Sequence, residues 1–221
     1  MRVRADLNIS LDGIAATADG TPENPFGEDW GRLVAAYLAT RTMQDRVMGD
    51  TTGAGTTGVD DTYAAAYFDG IGAEIMGAGK FGLHTHPDDA DWRGWWGDNP
   101  PFHYPVFVLT HDPRPDLQME GGTTFHFLTA TPQESLERAQ AVAGDKDVRI
   151  GGGPTVVRQF LEAGLIDQLH VAIAPIVLGK GISVWDGQRG LDQGFDVTTE
   201  VAPESGTVHV TFTRVEALPI S

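Results

Sequence analysis

The chain has 221 residues, no cysteine, and 31 acidic against 15 basic side chains, a formal net charge of −16. That balance argues against nucleic acid or an anionic membrane as partner, since both need a basic face, and the missing thiols exclude disulfides and cysteine metal sites. The length suits one α/β domain over residues 1–221 with a single core. The N-terminus Met1-Arg2-Val3-Arg4-Ala5-Asp6 lacks an apolar signal core and no stretch approaches about 18 apolar residues, so a cytoplasmic protein is expected.

Val3, Ala5, Leu7 and Ile9 alternate with Arg4, Asp6 and Asn8 as a half-buried strand does, and Leu11-Asp12-Gly13 ends it in a turn. Trp30, Leu33, Val34, Tyr37 and Leu38 recur at helical spacing and predict one amphipathic helix from Asp29 to about Met48. Gly49 to Asp61, rich in Gly and Thr, predicts a mobile surface loop and a candidate lid. Thr62 to Gly70 fits a short helix carrying Tyr63, Tyr67 and Phe68, followed by the strand Ala73-Glu74-Ile75-Met76.

Between Gly77 and Pro101 the chain is aromatic and glycine-rich, with Trp92, Trp95 and Trp96 close together. Such a cluster caps a core or walls a pocket for a flat ring, which makes Trp95 a candidate substrate contact. The strands Pro105–Thr110 and Thr123–Leu128 follow. Thr131-Pro132-Gln133-Glu134 then has the elements of a capping box, starting a helix that Gly144 ends.

Asp147 to Arg158 reads as a short strand, the turn Gly151-Gly152-Gly153, and a helix beginning at Pro154. Glycine there allows positive φ and close approach to the backbone, and the first helical amides point at whatever is bound, so the turn suits a phosphate. A tight turn without a ligand is the competing reading. Val156, Val157, Phe160 and Leu161 form the apolar stripe of that helix, which Gly164 terminates. Leu169–Leu178 is a strand that Pro175 bends or places at an edge, and Phe195–Val201 with Val208–Val215 predicts an antiparallel hairpin. The fold class expected is a three-layer αβα sandwich around a mixed, mostly parallel sheet with that hairpin at its end.

These segments in this order resemble the dihydrofolate reductase-like superfamily, and most closely the stand-alone relatives of the RibD C-terminal reductase domain of riboflavin biosynthesis. The resemblance rests on Asn8-Ile9-Ser10-Leu11-Asp12-Gly13, Val106-Phe107-Val108-Leu109-Thr110-His111, Asp147 to Val157 with Gly164 to His170, and Ala174 to Gly181. It implies an NADPH site with the nicotinamide near Asp12 and Gly13, and the pyrophosphate on Gly151, Gly152, Gly153, Pro154, Thr155 and Val156. The adenosine side would lie on Gly77, Ala78, Gly79, Lys80, Leu109, Thr110 and His111. The resembling proteins usually carry Gly-Arg where this chain has Gly77-Ala78, the arginine serving the 2′-phosphate. Lys80, His111 and Arg114 are the nearest substitutes, with Lys80 equally readable as a solvated surface lysine. Arg158 and Arg149 are further cations, Arg149 reading as solvent-facing.

The resemblance also implies hydride transfer to a small pteridine- or pyrimidine-like heterocycle, in the manner of dihydrofolate reductase or 5-amino-6-(5-phosphoribosylamino)uracil reductase. Glu28 and Asp29 lie near the place of the pterin-holding carboxylate of dihydrofolate reductases, which makes Asp29 an expected substrate contact. The motif around them does not match, so no catalytic residue is assigned. Asp12 reads as a turn residue or a proton relay; Asn8 reads as a pocket residue or as a bond to neighbouring strands. His84 and His86 with Asp88, Asp89 and Asp91 invite a metal, but Pro87 and the run of aspartates make this an exposed loop, and no metal is expected. No Gly-x-Ser-x-Gly, Lys-Ser/Thr phosphate loop or N-terminal dinucleotide fingerprint occurs, against hydrolase, NTPase and Rossmann dehydrogenase readings. A nucleotide-binding or sensory protein without turnover is the alternative. A homodimer joined along the C-terminal strands is expected, because exposed strand edges are paired or protected.

Overall fold

A computed structural model describes residues 1–215. The alternation in the first strand, β1 (Val3–Ser10), buries Val3, Ala5 and Ile9 on one face and turns Asp6 and Asn8 to the other. It is followed by the short β2 (Ile14–Ala16). The helix expected over 29–48 is broken into α1 (Trp30–Leu33), α2 (Ala35–Leu38) and α3 (Arg41–Arg46). The break has a local cause. Thr40 is extended at φ −69° and ψ 151°, its hydroxyl accepts from Met43 N and donates to Tyr37 O, and its backbone bridges Thr56. A threonine that caps the next helix cannot also continue the last one.

The same bridge alters the expected loop. Arg41 N donates to Thr56 O at 2.9 Å, Thr56 N to Ala39 O at 2.8 Å, and Thr42 N to the Asp61 carboxylate at 2.8 Å, so this segment is tied to α3. The next helix, α4 (Val59–Phe68), starts earlier than the sequence suggests. Then come β3 (Ile71–Gly77), α5 (Ala78–Phe81), β4 (Pro105–Leu109), β5 (Leu117–Gln118) and β6 (Thr124–Leu128). The helix α6 (Pro132–Ala143) opens with a complete capping box between Thr131 and Glu134. Next are β7 (Asp147–Gly152), α7 (Pro154–Glu162) and β8 (Gln168–Ala174), which stops before Pro175, a residue with no amide to donate. The chain ends in β9 (Ile182–Ser183), β10 (Phe195–Val201) and β11 (Val208–Arg214).

One sheet runs in the order β10-β11-β8-β1-β7-β3-β4-β6-β5. Strands β8, β1, β7, β3, β4 and β6 are parallel, with antiparallel β11 and β10 at one end and β5 at the other. Helices α6 and α7 cover one face, where Leu136, Ala139, Val157 and Phe160 pack with Ala5, Ala73, Ile75, Val148 and Ile150 in a continuous apolar core. The opposite face lies under α2 to α4 and is more polar. This is the expected α/β sandwich, a mixed and mostly parallel sheet between helices with an antiparallel hairpin at its end.

The topology singles out one crevice. From β3 the chain moves outward to β4 and β6, whereas from β7 it moves the other way, past β1 to β8. Adjacent parallel strands whose connections diverge leave a gap at their carboxyl ends, and open α/β sheets bind ligands there.

Candidate functional site

At that crevice β7 runs out through Gly151 and Gly152 into Gly153, the N-cap of α7, and the Gly152–Gly153 peptide is cis. The three glycines differ. A Cβ on Gly151 would collide with the Glu74 carboxylate; Gly152 has φ +100°, strained for any other residue; Gly153 has nothing within 4 Å of where a Cβ would stand. Across the crevice Gly77 ends β3, and a Cβ there would come 2.9 Å from Val156 Cγ2.

The amides can be accounted for individually. Val156 N and Val157 N both donate to Gly153 O, at 3.1 and 3.2 Å, and Pro154 has no N–H. Thr155 is exposed, and among the described residues its amide has no acceptor. An open glycine backbone beside a free amide at the start of a helix is a cradle for an anion, needing no side-chain charge.

Beneath the glycines lies a charged cluster that sequence reasoning did not find. Glu74 and Arg149 are fully buried and paired through two guanidinium nitrogens, with Nε at 3.1 Å from Oε2. Lys80 Nζ donates to Glu74 Oε1 at 3.1 Å, Tyr67 OH at 3.2 Å and Gly151 O at 2.6 Å. Arg149 also donates to Tyr67 O at 2.8 Å, and its guanidinium lies 3.4 Å from the centre of the Tyr67 ring. Burial pushes the Glu74 carboxyl up, but Arg149 and Lys80 outweigh it and hold the group below the usual carboxylate range. Two expectations are corrected. Arg149 is interior, because the strand face opposite the apolar core lies under α4 and not in water. The Lys80 ammonium is neither a surface group nor free for a ligand phosphate, because it ties β3 to the Gly151 carbonyl.

Arg158 and Arg114 are engaged as well. Arg158 bonds Asp186 at 3.0 Å and Ser183 O at 3.2 Å. Arg114 donates to Trp92 O and stacks over Phe127, 4.5 Å from the ring centre. His111 is exposed beyond β4; Leu109 ends that strand, and Thr110 is bonded to Leu128 O and Thr129. Ala78 and Gly79 open α5 with no cation in their own side chains.

Asp12 accepts from Ser10 Oγ at 2.6 Å, Leu178 N at 3.1 Å and Gly179 N at 2.7 Å, which hold its carboxyl down to about 2. It therefore fastens the first loop to the turn after β8, the structural side of its two readings. Gly13 is buried at φ +81° against Trp185. Trp95 Nε1 donates to Lys80 O at 3.0 Å and Trp92 Nε1 to Phe81 O at 2.9 Å, so the tryptophans cap the carbonyl end of α5. Phe26 lies against Trp30 and Trp95, which brings Trp95 near Asp29, itself paired with Arg32 at 2.5 Å. Asn8 instead lines a small cavity under α2 and α4 with Asp6, Tyr37, Tyr67 and His170. His86 stacks flat on Trp92, 3.6 Å between ring centres, and among the described residues no three acidic or histidine side chains converge as a metal site.

Comparison with known proteins gives the same picture. The RibD C-terminal domain model matches residues 2–218. A riboflavin biosynthesis protein RibD of Corynebacterium ammoniagenes is 29% identical over 177 residues, 79% of this chain and 43% of that protein. RibD of Mycobacterium tuberculosis is 32% identical over 77 residues, 32% of this chain and 23% of that protein. The matched part thus spans less than half the length of these relatives. A crystal structure of a protein from Shewanella sp. PV-4 assigned to riboflavin biosynthesis superposes with a TM-score of 0.60 at 20% identity, covering 98% of this chain and all of the other, and shares its fold. With a match over nearly its whole length, the chain belongs to the RibD C-terminal domain family.

Proposed function

We propose that this chain is a reductase that takes NADPH in the crevice between β3 and β7 and reduces a small pyrimidine- or pteridine-like heterocycle. The observation that carries the reading is the cradle itself: Gly153 with its open face, the free Thr155 amide, and the Gly151 carbonyl fixed by Lys80. These fit a pyrophosphate. When bound, NADPH supplies a hydride from its nicotinamide to the electrophilic carbon of a C=N or C=O group. The chain's own part is to orient and to exclude water. Lys80 and Glu74 set the position of Gly151, Val156 against Gly77 closes the floor of the crevice, and Asp12 holds the first loop over the sheet end.

The 2′-phosphate is served less well. Ala78 brings no charge, and Lys80 and Arg158 are engaged by carboxylates. A hydrogen bond to a charged group contributes about 1.5–3 kcal/mol, so without the arginine NADPH is expected to bind no more than about tenfold tighter than NADH. Ala78→Arg is expected to widen that preference by on the order of tenfold or more. Titration followed by tryptophan quenching and thermal shift measures both, because a ligand of the folded state alone raises stability with its concentration. Absence of binding by either cofactor at millimolar levels would overturn the reading. Tight binding without loss of absorbance at 340 nm across a panel that includes 5-amino-6-(5-phosphoribosylamino)uracil would favour a non-catalytic nucleotide-binding protein.

A homodimer is part of the proposal. Strand β10 lies at the sheet end, its outer edge unpaired among the described residues, and its Val197 and Val201 are exposed. Pairing of two such edges would bury them, and light scattering at micromolar concentration tests it.

A further inference from the structure

Four polar side chains form a line under the sheet end that carries the C-terminal hairpin. His170 Nδ1 lies 3.2 Å from Asp6 Oδ1, His170 Nε2 lies 3.0 Å from His209 Nδ1, and His209 Nε2 lies 2.9 Å from Asp60 Oδ1. The strands set this line. Asp6 on β1 is directly opposite His170 on β8, and β11 brings His209 alongside. The Tyr63 ring covers both imidazoles, at 4.4 and 4.0 Å between centres and nearly parallel. The side chains are 17%, 11%, 3% and 4% exposed from Asp6 to Asp60, so the two imidazoles and Asp60 are enclosed and the Asp6 end is the more open one.

The proton count follows from donor chemistry. An ionised carboxylate only accepts, so each end of the line needs an N–H from its histidine, and the central N···N contact needs one more. Three of the four imidazole nitrogens therefore carry protons. Two neutral rings have only two, and would leave two lone pairs facing at 3.0 Å. With both carboxylates ionised the quartet carries a net charge of −1, one proton more than two neutral rings would hold, and at rest that proton is shared by the two imidazoles.

The line ends at a cavity of about 20 Å³, room for a single water. Asp6 Oδ2 is buried without a hydrogen-bond partner among the described residues, as is Tyr37 OH, and both residues line the cavity that also holds Asn8 and Tyr67. A buried polar atom left unpaired is costly unless something else completes it. We propose that Asp6, His170, His209 and Asp60 form a proton store, and that Asp6 passes its proton to a water held in this cavity, which hands it on to the heterocycle. This rests on the reductase reading above. The hydride and its electron pair go from the dinucleotide to the ring carbon. The heteroatom of the same C=N or C=O takes a proton from that water, the water recovers one from His170 Nδ1 through Asp6, and the line is refilled from solvent at the Asp6 end, the more exposed of the two. Asp6 is the group that faces the cavity water; His170, His209 and Asp60 act through it. Burial pushes His209 below the usual histidine value; burial also pushes the Asp6 carboxyl up, but the bond from His170 outweighs it and holds Asp6 below its usual range, so Asp6 rests ionised and carries the proton only in passing.

The charges around the line are Arg4 on β1, Arg149 on β7, Tyr63 on α4, Glu200 on β10 and Glu204 in the last turn. The first test needs no ligand. Imidazole nitrogen shifts of the full chain at pH 7, assigned with His170→Gln and His209→Gln, should show three protonated nitrogens and one bare one in this pair. Two neutral rings would overturn the store. The second test uses the substrate that the panel reveals. His209→Gln should lower kcat at least tenfold with KM and cofactor affinity unchanged, and should move the alkaline limb of the kcat profile to lower pH. An unchanged kcat and profile would overturn the donor role. Absence of turnover by the wild type on any substrate would sink the reductase reading and the donor role together, while the nitrogen shifts still decide whether the store exists.

Discussion

Glu74→Ala is expected to cost the fold about 3–5 kcal/mol, a large part of the roughly 5–15 kcal/mol that holds a domain together. The loss comes less from the missing attraction than from what remains. Arg149 would stay fully buried with its charge unpaired, and Lys80 would lose one of its three acceptors. Urea unfolding should show a midpoint shifted far down with little change in slope. The double variant Glu74→Ala with Arg149→Met should be more stable than Glu74→Ala alone, because a buried pair replaced on both sides leaves no uncompensated charge. A double variant as unstable as the single would refute this account of the pair.

The same carboxylate makes stability depend on pH. Its folded-state value is held below the ordinary glutamate value of 4.5. The unfolded state therefore binds the proton first, and the stabilisation is fully present above about pH 4.5 and lost as pH falls through the folded value. The acid limb of the wild-type stability curve should be steeper than that of the Glu74→Ala, Arg149→Met double variant.

Much of the frame could be read from local patterns. Alternation placed β1 and β7, and Thr131 with Glu134 and Pro154 mark the starts of α6 and α7 as capping chemistry requires. What failed to show was tertiary. The apolar stripe from Trp30 to Leu38 continues at helical spacing, yet Thr40 turns the chain because Thr56, distant in sequence, completes its backbone bonds. Arg149 and Glu74 alternate with apolar neighbours, which reads as a solvent face until α4 is placed over it. A signal was available: an arginine and a glutamate each stand between large apolar residues in strands that prove adjacent, and so do His170 and His209. Oppositely charged residues inside apolar strands point to one another across a sheet more readily than to water. The role of Lys80 could not be read this way, since it depends on a helix of four residues turning its ammonium back under Gly151.

The three glycines of the turn give the sharpest separation of fold from function. Gly153→Ala should leave stability within about 0.5 kcal/mol, as for substitutions that meet no neighbour, because nothing stands within 4 Å of the new Cβ and φ at this residue is −70°. It should weaken NADPH binding by at least about tenfold, or about 1.4 kcal/mol, since the methyl group occupies the approach to the free Thr155 amide. Gly151→Ala should do the reverse in order of cause. Its methyl group collides with the Glu74 carboxylate and crowds Lys80 Nζ at 2.9 Å, so overpacking of about 1–3 kcal/mol lowers the melting temperature by several degrees. Binding then falls because the Gly151 carbonyl loses its anchor. Calorimetry and cofactor titration on the two variants distinguish these effects. A Gly153→Ala protein that binds NADPH as the wild type does would move the cofactor away from α7, whereas one that fails to fold would show that the third glycine, like the first, serves the chain rather than a ligand.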